Sequence, residues 1–433
     1  MRSLRKIAIG IILVIAAALR LSFPRDVEYK GDERYMFQQS QTAGASWDWP
    51  VLGMRSSVTL RNPPLSVWLF IGLAKAFQLR DPVALTRGVE CLNIAALLLL
   101  LWMILRLIPP GDDRAPWLWT FMLASVNPIA VLFQRKLWAQ DTLPFFCVAL
   151  LSGWFKRETA AGAFVWGFLG AILGQIQMAG FFLAAGYLSC TVFLAKRFNV
   201  HRRTNWTAWL AGSGLGAIPM IPWVYYAIYS GGPIKGADWS NIWKLKFWIT
   251  WITHALGYGL DYSLGKHADE FSRLPWVAAA YALIGLAAAA IVYFVISRRW
   301  KEKSISLQDE SMLALVSTGV GCGMLMTLTG IDVHRYYLTV VYPFEYYWLA
   351  RVACADGIRG QRLLALIAAC QLVISVSFLN FIHLNHGAPG ADYGIGYQWQ
   401  QPGFKPLTPR FVPRFARVCP SRSSTKSAIK HWR

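Results

Sequence analysis

Thr159 to Ala195 is a stretch of 37 residues without a single charged side chain. As a helix, at about 1.5 Å per residue, it would be roughly 55 Å long, enough for two short passes through a hydrocarbon core of about 30 Å. Other long apolar stretches recur along the chain, and the sequence therefore predicts an all-α polytopic integral membrane protein. These stretches lie at 7–19, 91–105, 117–133, 142–155, 205–234, 274–297, 311–331, 337–350 and 363–382.

Composition excludes the other broad classes of protein. Charged residues make up 15% of the 433-residue chain, whereas soluble domains average about 25%. Aromatic residues make up 14%, which is too many for a disordered chain. The net charge of +21 is dispersed among short loops instead of forming one basic surface. We therefore interpret the positive charge as a signal of membrane topology and exclude nucleic-acid binding.

The densest basic clusters predict the orientation of the helices. All of them lie in the cytoplasm if the chain crosses the membrane about eleven times, beginning inside. This count treats 64–79 as a re-entrant or interfacial helix, because 16 residues are short for a span. A twelve-pass alternative counts 64–79 as a span and brings the tail at 405–433, which holds eight Lys or Arg and no acid, to the cytoplasm. The clusters are Arg2/Arg5/Lys6, Lys156/Arg157, Lys196/Arg197/Arg202/Arg203, Arg298/Arg299/Lys301/Lys303 and Arg351/Arg359/Arg362.

The sequence divides into one transmembrane module at 1–383 and a basic C-terminal tail at 384–433. Two outer loops are long, at about 24–63 and 229–273, and we expect the first to carry juxtamembrane helices. In the second loop, spacings of four, five and three residues place four tryptophans near one face of a helix. Both an interfacial aromatic belt and a stacking platform for a sugar or an isoprenoid chain remain open for this group: Trp239, Trp243, Trp248 and Trp251.

Adjacent carboxylates, Asp32 and Glu33, follow the outer end of the first predicted helix. A carboxylate near a membrane surface, with a neighbour of like charge, can act as a general base. Acidic residues in loops are more often simply solvated, so these two residues alone leave catalysis and solvation both open.

Four segments, taken in order, resemble elements of the C-type glycosyltransferases. In the first, an apolar helix ends in Arg20, and Pro24, Asp32-Glu33 and Tyr35 follow. The others are Asn62-Pro-Pro-Leu65, then Asn127 to Asp141 with Pro128 and a basic pair before the Asp, and His334 to Pro343 with its Arg-Tyr and final Pro. This class includes the protein O-mannosyltransferases and the lipid A aminoarabinose transferases. The resemblance covers roughly residues 7–350.

The resemblance implies a membrane glycosyltransferase that moves a sugar from a polyprenyl-phosphate donor, with inversion, to a lipid, glycan or protein acceptor. The site would face the outside of a bacterial inner membrane, among membrane lipids. Asp32 would be the general base, with Glu33 supporting it or positioning the acceptor. The remaining implied residues are the donor-phosphate cations Arg135, Lys136 and Arg335, and the supporting residues Asp141, His334, Tyr336 and Asn62.

Each of these residues also has a purely structural interpretation. Arg135 and Lys136 can lie at a helix end with their charges at the interface, and Asp141 can cap the next helix. Arg335 can pair with Asp332 or Asp141. Separately, we expect Glu345, inside a short apolar stretch, to pair with a basic residue such as Arg351.

Metal binding is left open by the sequence. The resemblance allows a divalent metal ion, but Arg61 stands where the aminoarabinose branch has an acidic ligand, which argues against that form of metal site. The seven cysteines form no CxxC pair, so no cysteine metal site or disulfide framework is indicated.

Two rival functions remain at this stage. A lipid-sugar flippase or transporter predicts charges buried at mid-membrane, whereas the informative charges here lie at helix ends. An O-antigen ligase or polymerase is not expected to carry Asp-Glu directly after its first span. The identities of the sugar and the acceptor are not predicted.

Overall fold

The computed structural model describes residues 2–46, 48–56, 60–110, 114–198, 200–230, 237–301 and 309–400. Almost all of its regular structure is helical. The α-helices are α1 Arg2–Leu21, α2 Gly31–Ser46, α3 Leu65–Phe77, α4 Pro82–Leu107, α5 Arg114–Val126, α6 Pro128–Phe133, α7 Leu143–Phe155, α8 Ala160–Ile176, α9 Ala179–Phe193, α10 Trp206–Ala217, α11 Ile221–Tyr229, α12 Ser240–Trp243, α13 Lys246–Leu256, α14 Leu260–Leu264, α15 Ala268–Ser272, α16 Pro275–Lys301, α17 Glu310–Thr318, α18 Met326–Leu328, α19 Phe344–Cys354 and α20 Ile358–Leu384.

Shorter elements connect these helices. A π-helical segment, Gly319–Leu325, joins α17 to α18. Strands β1 Gly387–Ala388 and β2 Gly394–Ile395 pair antiparallel, with Gly387 opposite Ile395. The 3₁₀ helices are Ala139–Thr142, Ala195–Phe198, Ile218–Met220, Gly265–His267, Arg335–Val341 and Tyr397–Gln400.

Four described segments are long and apolar enough to cross a membrane, as judged by length and composition: Pro82–Leu107, Pro275–Ser297, Glu310–Leu328 and Ile358–Leu384. The charge-free stretch Thr159–Ala195 forms two helices, α8 and α9, as its length predicts. A helical protein with several apolar spans is therefore confirmed. The total of eleven or twelve passes stays a prediction.

Small residues bring α9 directly against the π-helical segment. A Cβ atom added to Gly186 would lie 2.3 Å from the Ser317 carbonyl oxygen, and one added to Gly321 would lie 2.3 Å from the Phe182 carbonyl oxygen. Only glycine allows two helix backbones to approach so closely. This contact fixes the position of Phe182, which lines the candidate site described below.

The segment 64–79 forms α3, a helix of 13 residues. At about 1.5 Å per residue it is roughly 20 Å long, shorter than a hydrocarbon core of about 30 Å. Helix α2 packs beside it: the Gln41 side-chain amide donates to the Leu79 carbonyl at 3.0 Å.

The prediction that four tryptophans share one helical face is wrong. The chain breaks between α12 and α13 at Leu245, whose φ of 47° lies in the left-handed region. Trp239 and Trp243 precede the break and are largely exposed. Trp248 and Trp251 follow it and stack on each other, with ring centroids 5.6 Å apart.

The beginning of the predicted C-terminal tail packs against the predicted first outer loop. The Tyr393 hydroxyl donates to the Asp26 carbonyl at 2.6 Å, and the Tyr397 backbone N–H donates to the Val27 carbonyl at 3.0 Å. Residues 387–400 thus lie beside the segment that leads into α2. The basic residues predicted at 405–433 lie outside the described residues, and the domain boundary at 383 stays a prediction.

Candidate active site

The start of α2 presents Asp32 and Glu33 to different surroundings. Lys30 is the residue before the helix, and its backbone N–H donates to Glu33 Oε2 at 2.9 Å, which is half of a capping box. Carboxylates in a first helical turn also suit the helix dipole. Consecutive helical residues point about 100° apart, so Asp32 is exposed while Glu33 is fully buried. The two carboxylates therefore lie in different surroundings although they are adjacent in sequence.

Asp32 lines a cavity of about 250 Å³ where several helix ends meet. One part of the wall is polar and comes from the outer loop, the 3₁₀ turn before α7, the end of α8 and the 3₁₀ helix 335–341: Asn62, Gln140, Gln177 and Tyr336. The rest is apolar and comes from α9, α18 and the chain after α18: Met178, Ala179, Phe182, Met326 and Ile331. The cavity suits a ligand that is polar at one end and apolar at the other.

Three cations and two acids form an ion-pair network near Asp32. Glu28 pairs with Lys30 at 2.5 Å and also with Lys136. Asp392 pairs with Lys30 at 3.2 Å and with Arg335 at 3.0 Å. The network connects the segment before α2, the chain after α6, the start of the 3₁₀ helix 335–341 and the segment after β1.

Arg335 is fixed by contacts from several directions. Its guanidinium donates to the Ser263 hydroxyl at 2.6 Å and to the Gly259 carbonyl at 3.0 Å, besides its ion pair with Asp392. It also lies over the Tyr262 ring, 4.2 Å from the centroid. The structural interpretation that paired it with Asp332 or Asp141 is wrong, because Arg335 pairs with Asp392 and Asp332 pairs with Lys246.

None of the three predicted phosphate cations, Arg135, Lys136 and Arg335, lines the cavity itself, and Arg135 belongs to a separate set of contacts. Arg135 lies 3.5 Å from Glu90, which also pairs with Arg87 at 2.7 Å. Its guanidinium donates to the backbone carbonyls of Ser22 at 2.5 Å and Phe23 at 3.2 Å. These contacts connect α4 to the end of α1, so Arg135 helps to hold these two helices in position.

Lys136 is deeply buried, with 1% of its side chain exposed. Its ammonium pairs with Glu28 and lies 4.6 Å from the centroid of the Trp138 ring. A helix-end lysine whose charge reaches the interface would be exposed, so that interpretation is wrong for Lys136.

Asp141 is fully buried in the 3₁₀ turn before α7, and no described residue gives its carboxyl oxygens a hydrogen bond. Its backbone carbonyl accepts from the Asn93 amide at 2.9 Å. The interpretation of Asp141 as a helix cap is wrong, because Thr142 precedes α7 and no side-chain cap forms there. The expected pair of Glu345 with Arg351 is also wrong, since Arg351 pairs with Asp309.

The other supporting residues divide between the cavity and its edge. Asn62 lines the cavity, while its backbone N–H and carbonyl bond to Met54 at 2.8 Å and Gly53 at 2.7 Å. Tyr336 lines it too and meets the Trp138 ring edge-on, with centroids 5.4 Å apart. His334 stacks on Tyr336 with centroids 5.4 Å apart. His334 therefore supports the Tyr336 ring that lines the cavity.

The pKa values of both carboxylates of α2 are raised above their ordinary values. Asp32 is exposed as a whole residue, but its carboxyl group is partly desolvated at the cavity wall, and this raises its pKa above the ordinary value. Lys30 and Lys136 oppose the increase, and Asp392 adds to it. Burial, together with the nearby Glu28, raises the pKa of Glu33 to about 7. Lys30 and Lys136 thus favour the ionised form of Asp32, which is the state a general base needs.

Sequence reasoning missed four residues that build this site: Glu28, Lys30, Glu90 and Asp392. Glu28 and Lys30 lie in the segment that carries the resemblance, and a Glu three residues after Lys30 was the available signal for a helix start. Glu90 is the one acid within a long apolar helix, which is a recognised signal for a buried partner. Nothing in the local sequence marks Asp392.

The described part of the chain contains no group of three His, Cys, Asp or Glu side chains placed to hold a metal ion. The cavity wall near Asn62 includes Arg55 and carries no second carboxylate beside Asp32. The described residues at this cavity therefore do not fit a divalent metal ion.

No family model and no curated protein matches this sequence. Among solved structures, the chain is similar to ArnT from Cupriavidus metallidurans in the apo state, with 13% identity, a TM-score of 0.39, and coverage of 86% of this chain and 78% of that chain. A similarity at this level carries no argument about function.

Proposed function

We propose that this protein is a membrane glycosyltransferase that moves a sugar from a polyprenyl-phosphate donor to an acceptor hydroxyl outside the cytoplasm, with Asp32 as general base. The observation that carries the proposal is the placement of Asp32 on a cavity with one polar and one apolar wall. The pKa of Asp32 is raised above its ordinary value, yet two lysines favour its ionised form. A base, a cationic network and an amphipathic cavity are the parts this reaction needs.

The donor has a polar sugar and an apolar lipid tail, and each part fits one wall of the cavity. The apolar wall, built by α9, α18 and Ile331, would hold the first isoprene units of the lipid. The polar wall offers amides and a phenol, which hydrogen-bond sugar hydroxyls: Asn62, Gln140, Gln177 and Tyr336. Because α9 and α18 belong to apolar helical segments, the lipid tail would continue directly into the bilayer.

The reaction proceeds as a single displacement. The acceptor oxygen attacks the anomeric carbon while Asp32 takes its proton, and the bond from that carbon to the phosphate oxygen breaks. The electron pair leaves with the polyprenyl phosphate, and attack from the opposite face inverts the anomeric configuration. No covalent enzyme intermediate is needed.

Lys30 and Arg335 are the cations best placed to receive the departing phosphate. Both pair with the same carboxylate, Asp392, so the space between them already accepts an anion. A phosphate arriving there would exchange with Asp392 as their partner. Lys136, which is buried and paired with Glu28, would add positive electrostatic potential at the phosphate position without contacting the phosphate.

The test compares purified wild type with Asp32→Asn for release of free polyprenyl phosphate from a panel of lipid-phosphate sugars. General-base removal should slow release by about 10²- to 10⁴-fold, with expression and unfolding unchanged. Asp269→Asn, an exposed acid outside the cavity, serves as the matched control and should be fully active. Equal release by Asp32→Asn would exclude this mechanism, and donor binding without release would favour a transporter.

A further inference from the structure

A second and larger cavity lies between α1, α20 and the start of α16. Its volume is about 980 Å³, against about 250 Å³ for the cavity that contains Asp32. Its walls are mainly apolar, and several of the side chains that line it, including Val376 and Trp276, are more than half exposed. None of the residues assigned to sugar transfer lines it. We call it the α1–α20 groove.

The groove has the length of a lipid chain in one leaflet. On α20 its lining runs from Leu372 through Val376 and Leu379 to Leu384. At about 1.5 Å per residue this distance is roughly 18 Å, and half of a hydrocarbon core is about 15 Å. On α1 the facing residues are Ile15, Ala18 and Leu19. An extended acyl chain therefore fits along the two helices.

Two opposite charges lie at one end of the groove. Glu270 and Arg273 line it where α15 leads into α16, beside Ser22 and Asn385 at the ends of α1 and α20. In the described part of the chain, no side chain or carbonyl pairs with the Arg273 guanidinium. Glu270 has only a 3.6 Å contact with His267, which counts as an ion pair when the histidine is protonated. One cation and one anion at the mouth match a head group that carries both charges.

We propose that the α1–α20 groove binds one bilayer phospholipid with a zwitterionic phosphate–amine head group. Its phosphate contacts Arg273, its ammonium contacts Glu270, and one acyl chain lies along α20. An anionic lipid without an amine would satisfy Arg273 but would meet repulsion from Glu270. This site is independent of the sugar-transfer proposal.

The bound lipid would also contact Phe23, which connects the groove to Arg135. Phe23 lines the groove, stacks on His383 with centroids 4.2 Å apart and has a φ of 50°, which is unusual for a bulky residue. Its carbonyl accepts from Arg135 at 3.2 Å. Lipid packed against Phe23 should therefore stabilise the junction of α1 and α20 and raise the melting temperature.

The experiment uses the purified full-length protein, delipidated in detergent and titrated with phosphatidylethanolamine or phosphatidylglycerol. Native mass spectrometry counts retained lipid, and thermal unfolding measures stabilisation. Wild type should retain one phosphatidylethanolamine in preference to phosphatidylglycerol. Arg273→Ala should weaken retention of both lipids about tenfold or more, as expected for a lost charge-assisted contact. Glu270→Gln should abolish the preference between them.

Steric variants and matched controls separate groove binding from general lipid adsorption. Ala18→Trp fills the groove and should abolish retention, whereas Val14→Trp, an exposed position on α1 outside the groove, should leave it unchanged. Arg362→Ala removes an exposed cation near the start of α20 and should bind as wild type does. Should Ala18→Trp not fold, Val376→Trp fills the same groove from α20. Equal retention by a folded groove-filling variant, or a wild-type preference for phosphatidylglycerol, would overturn the proposal.

Discussion

The Arg335 guanidinium lies 3.0 Å from the carboxylate of Asp392, a residue in the segment between β1 and β2. The same carboxylate is 3.2 Å from the Lys30 ammonium, which belongs to the segment leading into α2. Asp392 thus connects two cations that are far apart in sequence and holds them around one anion position.

The first prediction concerns the pH dependence of sugar transfer. Asp392 raises the pKa of Asp32, so Asp392→Asn should lower that pKa and move the acid limb of kcat/KM to lower pH. Lys30 lowers the same pKa, so Lys30→Met should move the acid limb to higher pH. The inflection points are compared with wild type, because both variants also change the absolute rate. Shifts in the same direction would contradict the assignment of Asp32 as the titrating base.

The second prediction concerns donor binding by Arg335. Arg335→Ala should lower kcat/KM for the donor about ten- to a hundredfold, since a hydrogen bond to a charged group contributes about 1.5–3 kcal/mol. Arg335→Lys should restore little, because the guanidinium uses one nitrogen for the Gly259 carbonyl and another for Ser263 and Asp392, whereas lysine has a single nitrogen that cannot occupy both positions. Steady-state kinetics with donor and acceptor varied separately provide the measurement. Unchanged donor parameters would make the role of Arg335 structural.

The third prediction concerns the buried ion pair of Lys136 with Glu28. Glu28→Gln should reduce the free energy of unfolding by about 3–5 kcal/mol, because it leaves a buried ammonium without its ion-pair partner. Adding Lys136→Met in the same chain should recover most of that loss, since both charges are then absent. Denaturant unfolding in detergent of the two single variants and the double variant measures the coupling. Additive losses would show that the pair contributes nothing.

Sequence reasoning predicted the helical membrane architecture because hydrophobic length is a local property of the chain. The break between α8 and α9 and the short α3 both follow from segment length alone. The single tryptophan face failed because spacing assumes an unbroken helix, and a left-handed Leu245 interrupts it. Local propensity gives no warning of that conformation for a leucine.

The site was only partly predictable for a similar reason. Asp32 and Arg335 were named from sequence elements, and the structure connects them indirectly, through Lys30 and Asp392. The contacts with Asp392 depend on long-range packing of residues 387–400 against the predicted first outer loop. From the sequence, residues 387–400 are assigned to a basic C-terminal tail, and composition gives no sign of this packing. Burial likewise separates Glu33 from Asp32, although the two residues are adjacent in sequence.

The last prediction uses the buried carboxylate of Glu33. Its pKa is raised to about 7 in the folded protein, against an ordinary value of 4.5. Between these values the folded protein retains a proton that the unfolded chain has lost, so the free energy of unfolding falls as pH rises. Glu33→Gln has no proton to lose and can still accept from the Lys30 N–H. Its stability relative to wild type should therefore increase from pH 4.5 to about 7 and then level off.

The gain should be on the order of 1 to 3 kcal/mol at pH 8, as follows from the size of the pKa change. Thermal or denaturant unfolding at pH 5, 6, 7 and 8 measures it, with Asp269→Asn as an exposed-acid control whose difference from wild type should stay flat. Glu33→Ala separates charge from capping, because it also removes the acceptor for the Lys30 N–H and should be less stable than Glu33→Gln at every pH. A difference between Glu33→Gln and wild type that does not change with pH would show that Glu33 ionises normally. In that case burial would not explain a difference in ionisation between Glu33 and Asp32.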